Sequence, residues 1–275
     1  MTFSFPGTVA VVTGAAGGIG RALALGLAGR GVRLALTDRD AAALSGVADD
    51  CRAAGVEVSE HVFDMADAAA IAALPEQVIA RHGAVDILVN NAGVALAGTF
   101  EQVSLDDIEW LMAINFWGPV RMCKAFLPYL QQRPAASIVN ISSLFGIIAP
   151  PGQTAYCAAK FAVRGFSESL RHELAEGGAI AVTIVHPGGV RTNISTNARI
   201  PAGANSLDLV AQMQKFNALL TTEPAEAARV ILEGVARRAP RVLIGADARR
   251  GDFLQRLMPA RYWGVMKKGL ERAMR

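Results

Sequence analysis

The first thirty residues leave this chain few folds to choose from. Val9-Ala10-Val11-Val12 is a continuous apolar run, the pattern of a parallel strand covered on both faces. It stops at Thr13-Gly14-Ala15-Ala16-Gly17-Gly18-Ile19-Gly20, and Arg21 to Arg30 then reads as a helix. In that order the glycines let an anion approach the backbone, and the helix start offers unpaired N–H groups and a partial positive charge. The unit is a candidate phosphate site.

The same alternation continues. Apolar runs at Leu34–Thr37, Val56–Val62, Asp86–Val89, Ser137–Ser142, Ala181–Val185 and Arg241–Ile244 alternate with helical stretches at Ala41–Ala54, Ala68–Arg81, Ser104–Leu130, Thr154–Glu176 and Glu223–Arg238. Strands alternating with helices predict an α/β fold, a doubly wound parallel sheet with helices on both faces.

Asp38 closes the second run, eighteen residues after Gly20, where a carboxylate accepts hydrogen bonds from adenosine ribose hydroxyls. A 2′-phosphate there would face that carboxylate. Two unit charges about 4 Å apart repel by roughly 4 kcal/mol at an effective dielectric of about 20. NAD is therefore expected over NADP, although Arg39 could pair with the phosphate and keeps NADP open. Asp64 follows the third run at the height of the adenine, or is an ordinary loop aspartate. Asn90-Asn91-Ala92-Gly93 after the fourth run would let the chain pass close to a flat cofactor. The long stretch to Leu130 contains Gly118-Pro119, which should interrupt its hydrogen bonds near Asn115 and free a backbone carbonyl to hold a water. Taken by itself, Asn115 reads as a structural amide.

Tyr156 and Lys160 stand four residues apart on one predicted helical face. An ammonium beside a phenol favours the phenolate, so the pair is expected to lower the tyrosine pKa and make it a general acid or base. Ser143 lies thirteen residues upstream of Tyr156, at the carboxyl end of the fifth run.

Composition excludes several alternatives. A net charge of +3 on 275 residues gives no ground for nucleic-acid binding. Three cysteines (Cys51, Cys123, Cys157) without Cys-x-x-Cys spacing fit reduced thiols in a cytoplasmic protein, with no metal site expected. The first residues lack a basic n-region, and no run of 18 apolar residues occurs, so neither a signal peptide nor a membrane span is expected.

Taken together, Thr13-Gly14-x-x-x-Gly18-x-Gly20, Asp38, Asp64, Asn90-Asn91-Ala92-Gly93, Asn115, Ser143, Tyr156-x-x-x-Lys160 and Pro187-Gly188-x-x-x-Thr192 resemble the classical short-chain dehydrogenase/reductase family over roughly residues 5 to 246. The resemblance implies a single Rossmann-type domain with a seven-stranded sheet, spanning residues 1–275. It implies a catalytic tetrad of Asn115, Ser143, Tyr156 and Lys160. It also implies a nicotinamide cofactor held by Gly14, Gly18, Ile19, Gly20, Asp38, Arg39, Asp64, Asn91, Ala92, Gly93, Tyr156, Lys160, Pro187, Gly188, Val190 and Thr192. His186 and Cys157 look like ordinary variation. A homo-oligomer, dimer or tetramer, is the family's usual state.

Residues 191–222 occupy the family's substrate-lid position. Leu209, Met213, Phe216 and Leu220 recur at helical spacing behind Ser206, as a lid face or as a stripe docked on the body. With Leu96, Leu144, Phe145, Ile147 and Ile148 they suggest a hydrophobic small-molecule substrate, a secondary alcohol or ketone; the pocket candidates are Leu96, Leu144, Phe145, Met213 and Phe216. The alternatives are a 3-oxoacyl reductase using NADPH and a dinucleotide sensor without turnover. The extension, residues 247–275, is basic and amphipathic. It either packs on the body or a neighbouring subunit, closes the pocket, or contacts a membrane peripherally.

Overall fold

A computed structural model describes residues 2–202, 214, 217 and 220–273. Among these, the apolar runs form strands β1 (Val9–Thr13), β2 (Arg33–Asp38), β3 (Val58–Val62), β4 (Ile87–Asn90), β5 (Ala136–Ile141), β6 (Ile180–Pro187) and β7 (Arg241–Ile244). They pair in parallel in the order β3-β2-β1-β4-β5-β6-β7. The flanking helices are α1 (Gly18–Ala28), α2 (Ala41–Ala53), α3 (Ala68–His82), α4 (Leu105–Met112), α5 (Gly118–Leu130), α6 (Thr154–Ala175) and α7 (Pro224–Ala236). Two more, α8 (Ala246–Leu257) and α9 (Tyr262–Ala273), form the extension.

The continuous apolar runs have a direct cause. Every residue of β1, β4 and β5 is buried, because alternate side chains enter opposite helical layers. Val12 joins Leu23 and Leu27 of α1, Leu44 of α2 and Ile231 of α7. Its neighbour Val11 joins Ile71 of α3, Met122 and Phe126 of α5, and Leu170 of α6. Burying Phe126 completely stabilises the chain by about 2–3 kcal/mol over leaving it exposed. Edge strand β3 starts at Val58 rather than Val56. Gly55 turns the chain at φ +86°, and pairing begins where the Glu57 carbonyl accepts the Leu34 N–H at 2.9 Å.

The expected break at Gly118-Pro119 is a single π turn, Ala113–Trp117, between α4 and α5. Gly118 donates its N–H to the Ala113 carbonyl, five residues back. Pro119 has no N–H for the Asn115 carbonyl four residues back, so the α-type ladder cannot continue there. Ser104 caps α4, exchanging hydrogen bonds with Asp107 in a capping box.

Strand order reverses between β1 and β4, opening a crevice above the carboxyl ends of the sheet. Thr13 is level with Thr37, Asn90 with Asn140, Ile141 with Val185, and Pro187 with Ile244. The glycine turn, Asp38, Asn91–Gly93, Ser143 and Gly188 therefore all emerge along one edge. Cys51, Cys123 and Cys157 are buried free thiols. No helix among the described residues is long and apolar enough to cross a membrane.

Candidate active site

The glycine turn is locked from both sides. Gly14 and Gly18 take φ of +64° and +53°, a region glycine enters without the Cβ penalty. A Cβ on Gly20 would lie 2.0 Å from the Gly14 carbonyl oxygen. Asn91 Nδ2 donates to the carbonyls of Thr13 and Gly14 at 3.0 and 3.1 Å, and Thr13 Oγ1 accepts the N–H groups of Asn91 and Ala92, both at 3.0 Å. This stitching fixes the end of β4 to the end of β1. The first turn of α1 carries Ile19 but no acidic residue and no side-chain cap, which leaves its N–H groups available to an anion.

Asp38 accepts the Ala16 N–H at 3.0 Å through Oδ2 and the Asp40 N–H at 3.2 Å through Oδ1, so it also shapes the turn. Asp64 accepts the Ala66 N–H at 2.8 Å, and Arg39 lies 4.0 Å from its other oxygen. Both side chains are well exposed.

Four predicted residues converge from three elements. The π turn carries Asn115, wholly buried, whose Oδ1 accepts the Val94 N–H and whose Nδ2 donates to the Val94 carbonyl, both at 2.8 Å. That double clamp makes Asn115 the structural amide its residue type suggested. It also fixes Gly93, where an added Cβ would stand 3.3 Å from Asn115 Oδ1 and 3.5 Å from Lys160 Nζ. Lys160, buried on α6, donates to the Ile141 carbonyl at 3.1 Å and lies 5.7 Å from the Tyr156 ring centroid. Ser143 starts the short turn Leu144–Gly146, its Oγ accepting the Phe145 N–H at 3.1 Å.

The electrostatics differ from the expectation that the lysine acidifies the phenol. Burial pushes Tyr156 up to about 12, with a hydrogen bond to Ser143 pulling partly the other way. Burial also pulls Lys160 down to about 8. Desolvation disfavours both charged forms, and the ammonium is held by the Ile141 carbonyl.

Three contributors escaped the sequence reading. His186, wholly buried in β6, holds the Ser143 carbonyl through Nδ1 at 2.9 Å; because a carbonyl only accepts, Nδ1 carries the proton. Burial, partly offset by that bond, pulls its pKa to about 4, so the ring is neutral. Asp247 of α8 accepts the Gly189 N–H at 2.6 Å, and a Cβ on Gly188 would collide with its carboxylate at 2.1 Å. Tyr262 of α9 accepts the Ala149 N–H at 2.8 Å. None belongs to a short motif, and each reaches the site across a long sequence separation.

Between β6 and residue 192 the chain returns to the glycine turn. Gly188 donates to the Ile244 carbonyl at 2.9 Å beyond Pro187, Val190 is buried, and Thr192 sets its methyl 3.0 Å from where a Gly18 Cβ would stand. The substrate-side candidates separate. Phe145 meets Tyr156 edge-on at 6.2 Å. Leu96 packs with Leu111, Ala155 and Ala159, and Leu144 lies against Gly251 of α8. Ile147 and Ile148, expected to approach the pocket, pack in one cluster with Leu144, Phe145, Leu243 and, from α9, Tyr262 and Met266. Met213 and Phe216, with Ser206 and Leu209, lie outside the described residues, and Leu220 is buried.

Residues 8–202 match the sequence profile of the family described as short chain dehydrogenase. SadH of Mycobacterium tuberculosis H37Rv is 42% identical over 268 residues, covering 97% of this chain and 96% of that protein. An Anopheles gambiae dehydrogenase/reductase SDR family protein 7-like is 34% identical across 97% of this chain and 84% of its own length. A Burkholderia phymatum short chain dehydrogenase/reductase, solved in complex with NAD, superposes with a TM-score of 0.86 at 32% identity, covering 92% of this chain and 94% of that one. A metagenomic short-chain oxidoreductase in complex with NADP gives 0.72 at 33% identity, covering 88% and 98%. The chain thus belongs to the short-chain dehydrogenase/reductase family of oxidoreductases, and its parallel sheet is that family's Rossmann-type fold.

Proposed function

We propose that this chain is an NAD-preferring oxidoreductase that interconverts a hydrophobic secondary alcohol and its ketone, with Tyr156 as general acid and base. One observation carries the reading. Tyr156 stands between Ser143, its hydrogen-bond partner, and Lys160, 5.7 Å from its ring, and Lys160 Nζ shares Gly93 with the Asn115 clamp, on the sheet edge where an uncapped helix start offers an anion site. A nicotinamide dinucleotide would supply the hydride acceptor or donor. The residues present fit such a group: Gly14, Gly18, Ile19 and Gly20 would hold its pyrophosphate, Asp38 its adenosine ribose, Asp64 its adenine. Asn91, Ala92, Gly93 and the Pro187–Thr192 segment, with Val190, would border the rest. Asp38 supports NAD over NADP, since its carboxylate stands where a 2′-phosphate would bring like charge; Arg39 is drawn toward Asp64 instead.

Ser143 orients the substrate oxygen through its hydroxyl and stabilises charge developing on it. Tyr156 Oη gives a proton to that oxygen during reduction or takes one during oxidation. Because burial keeps the phenol protonated, the resting site is set for reduction, and oxidation becomes faster as pH rises. Lys160 supplies a cation beside the ring up to about pH 8. The Asn115 carbonyl, which has no α-type partner at Pro119, is a place for a water linking Lys160 to solvent. Phe145 lends the tyrosine an apolar wall, which supports an apolar substrate. We further propose a homo-oligomer joined through the helical stretches that contain Asn115 and Tyr156, where Trp117 of the π turn and Phe161 of α6 remain 48% and 38% exposed.

Paired assays with NAD⁺ and NADP⁺ on hydrophobic secondary alcohols, with Tyr156→Phe as control, test the reading. Turnover of apolar substrates with NAD⁺, abolished in Tyr156→Phe, supports it. Turnover confined to charged polyols, or to acetoacetyl-CoA with NADPH, defeats it. Tight dinucleotide binding without turnover across the panel points to a sensor.

A further inference from the structure

The charge of this chain is unevenly placed. Its last thirty residues hold eight basic against three acidic side chains, a net of +5, so the preceding 245 residues carry −2 of the total +3. Such an asymmetry signals an anionic partner for the extension rather than for the whole protein. The helices show where it would bind. α8 buries Ala248, Gly251 and Asp252, with Gly251 against Leu144, and turns the opposite face to solvent. At the centre of that outer face stand Phe253 and Leu257, 61% and 63% exposed and one helical turn apart. The neighbours of Phe253 on the helix surface are Arg249 and Arg250 one turn before, and Arg256 beside Leu257 one turn after. All three arginines are exposed. Arg256 also pairs with Asp252 Oδ2 at 3.3 Å while Arg241 holds Oδ1 at 2.6 Å, and its side chain still stays largely in solvent. Exposed Arg261, and Val265 and Lys267 of α9, continue the pattern.

We infer that the outer face of α8 docks on an anionic lipid surface, Phe253 and Leu257 entering the headgroup boundary and the arginines meeting lipid phosphates. An apolar ridge fenced by long cations suits that boundary, because the stems can bury while the charged heads stay hydrated. A second copy of this chain fits worse, since a symmetric contact would set the same arginines against each other. Nucleic acid would engage the arginines and give Phe253 and Leu257 nothing to bury against. The surface stands independently of the substrate reading. Docking would nonetheless bring the site to the lipid, since α8 holds the Gly189 N–H through Asp247.

The test is co-sedimentation of the full chain with phosphatidylcholine vesicles and with phosphatidylcholine–phosphatidylglycerol vesicles, at low and high salt. Binding is expected only to the anionic vesicles and is expected to fall as salt rises. Each arginine near such a surface is worth about fivefold, so Arg249→Gln with Arg250→Gln should weaken binding about thirtyfold. Phe253→Ser with Leu257→Ser should weaken it independently, while both double variants keep dehydrogenase turnover of a soluble substrate. Wild-type protein that ignores anionic vesicles overturns the inference, as does vesicle binding that neither double variant changes. A smaller particle in light scattering for Phe253→Ser with Leu257→Ser, without vesicle binding by the wild type, assigns the face to a second copy. Retention on heparin and nucleic acid that survives the apolar substitutions, again without vesicle binding, assigns it to nucleic acid.

Discussion

Lys160 should be a residue that the chemistry needs and the fold does not. Its ammonium is buried, with one hydrogen bond to the Ile141 carbonyl, and burial pulls its pKa from 10.5 to about 8. At about 1.4 kcal/mol per pKa unit, keeping it charged at pH 7 costs about 3 kcal/mol relative to the unfolded chain. Replacing it by methionine removes that cost and forfeits a hydrogen bond worth about 1 kcal/mol. Without cofactor, Lys160→Met should therefore be more stable than wild type by about 2 kcal/mol at pH 7. The sign of the pH dependence follows. Between about pH 8 and 10.5 the unfolded lysine holds a proton that the folded one has released, so wild-type stability rises with pH through that window. The variant has no such rise, and by about pH 9.5 the two should differ by under about 1 kcal/mol. Urea denaturation of both proteins at the two pH values measures this, and turnover should fall at least about a hundredfold in the variant. A methionine variant destabilised by several kcal/mol at both pH values would refute the account of a desolvated charge. Full activity would refute its place in the reaction.

Three other substitutions probe the surrounding frame. Gly20→Ala brings a methyl to 2.0 Å from a backbone oxygen, so it should cost about 3 kcal/mol of stability or more and abolish dinucleotide binding, read by calorimetry. Asp38→Asn keeps an acceptor for the Ala16 N–H and removes the charge; the NADP to NAD ratio of kcat/KM should rise at least about tenfold, and an unchanged ratio would show that the carboxylate does not discriminate. His186→Phe deletes the Nδ1 donor to the Ser143 carbonyl, which should cost about 1 kcal/mol and lower kcat about tenfold with less effect on KM. His186→Asn, which can still donate, should recover most of that loss.

What was legible in the sequence follows from the range of the interactions involved. A strand buried on both faces must be apolar throughout, so β1 could be read from four residues; β7, a half-buried edge strand, was read to its exact ends from the short run Arg241–Ile244. Tyr156 and Lys160 share a helix face because they are one turn apart, and no distant contact is needed to say so. The break at Asn115 was equally local, since Pro119 withholds a single N–H; that it would take the form of one π turn was not readable. Burial is where local reading fails. Four residues of spacing said that an ammonium would stand near a phenol, but whether attraction or desolvation wins depends on how much protein encloses both. Here desolvation wins for each of them.

The same reasoning explains why His186, Asp247 and Tyr262 were invisible. Their partners are Ser143, Gly189 and Ala149, separated from them by 43, 58 and 113 residues. His186 passed as ordinary variation because a histidine beside Pro187-Gly188 has no local signature; its meaning comes from β5 lying next to β6. The extension read correctly as basic and amphipathic, yet its two faces divide differently from any single helical stripe. α9 turns Tyr262 and Met266 onto Ile147 and Ile148, a contact that sequence proximity could not show. α8 meanwhile sets Gly251 against Leu144 and leaves Phe253 and Leu257 outside. Both helices of the extension therefore back the serine turn, and α8 presents a cationic, apolar ridge on its other face.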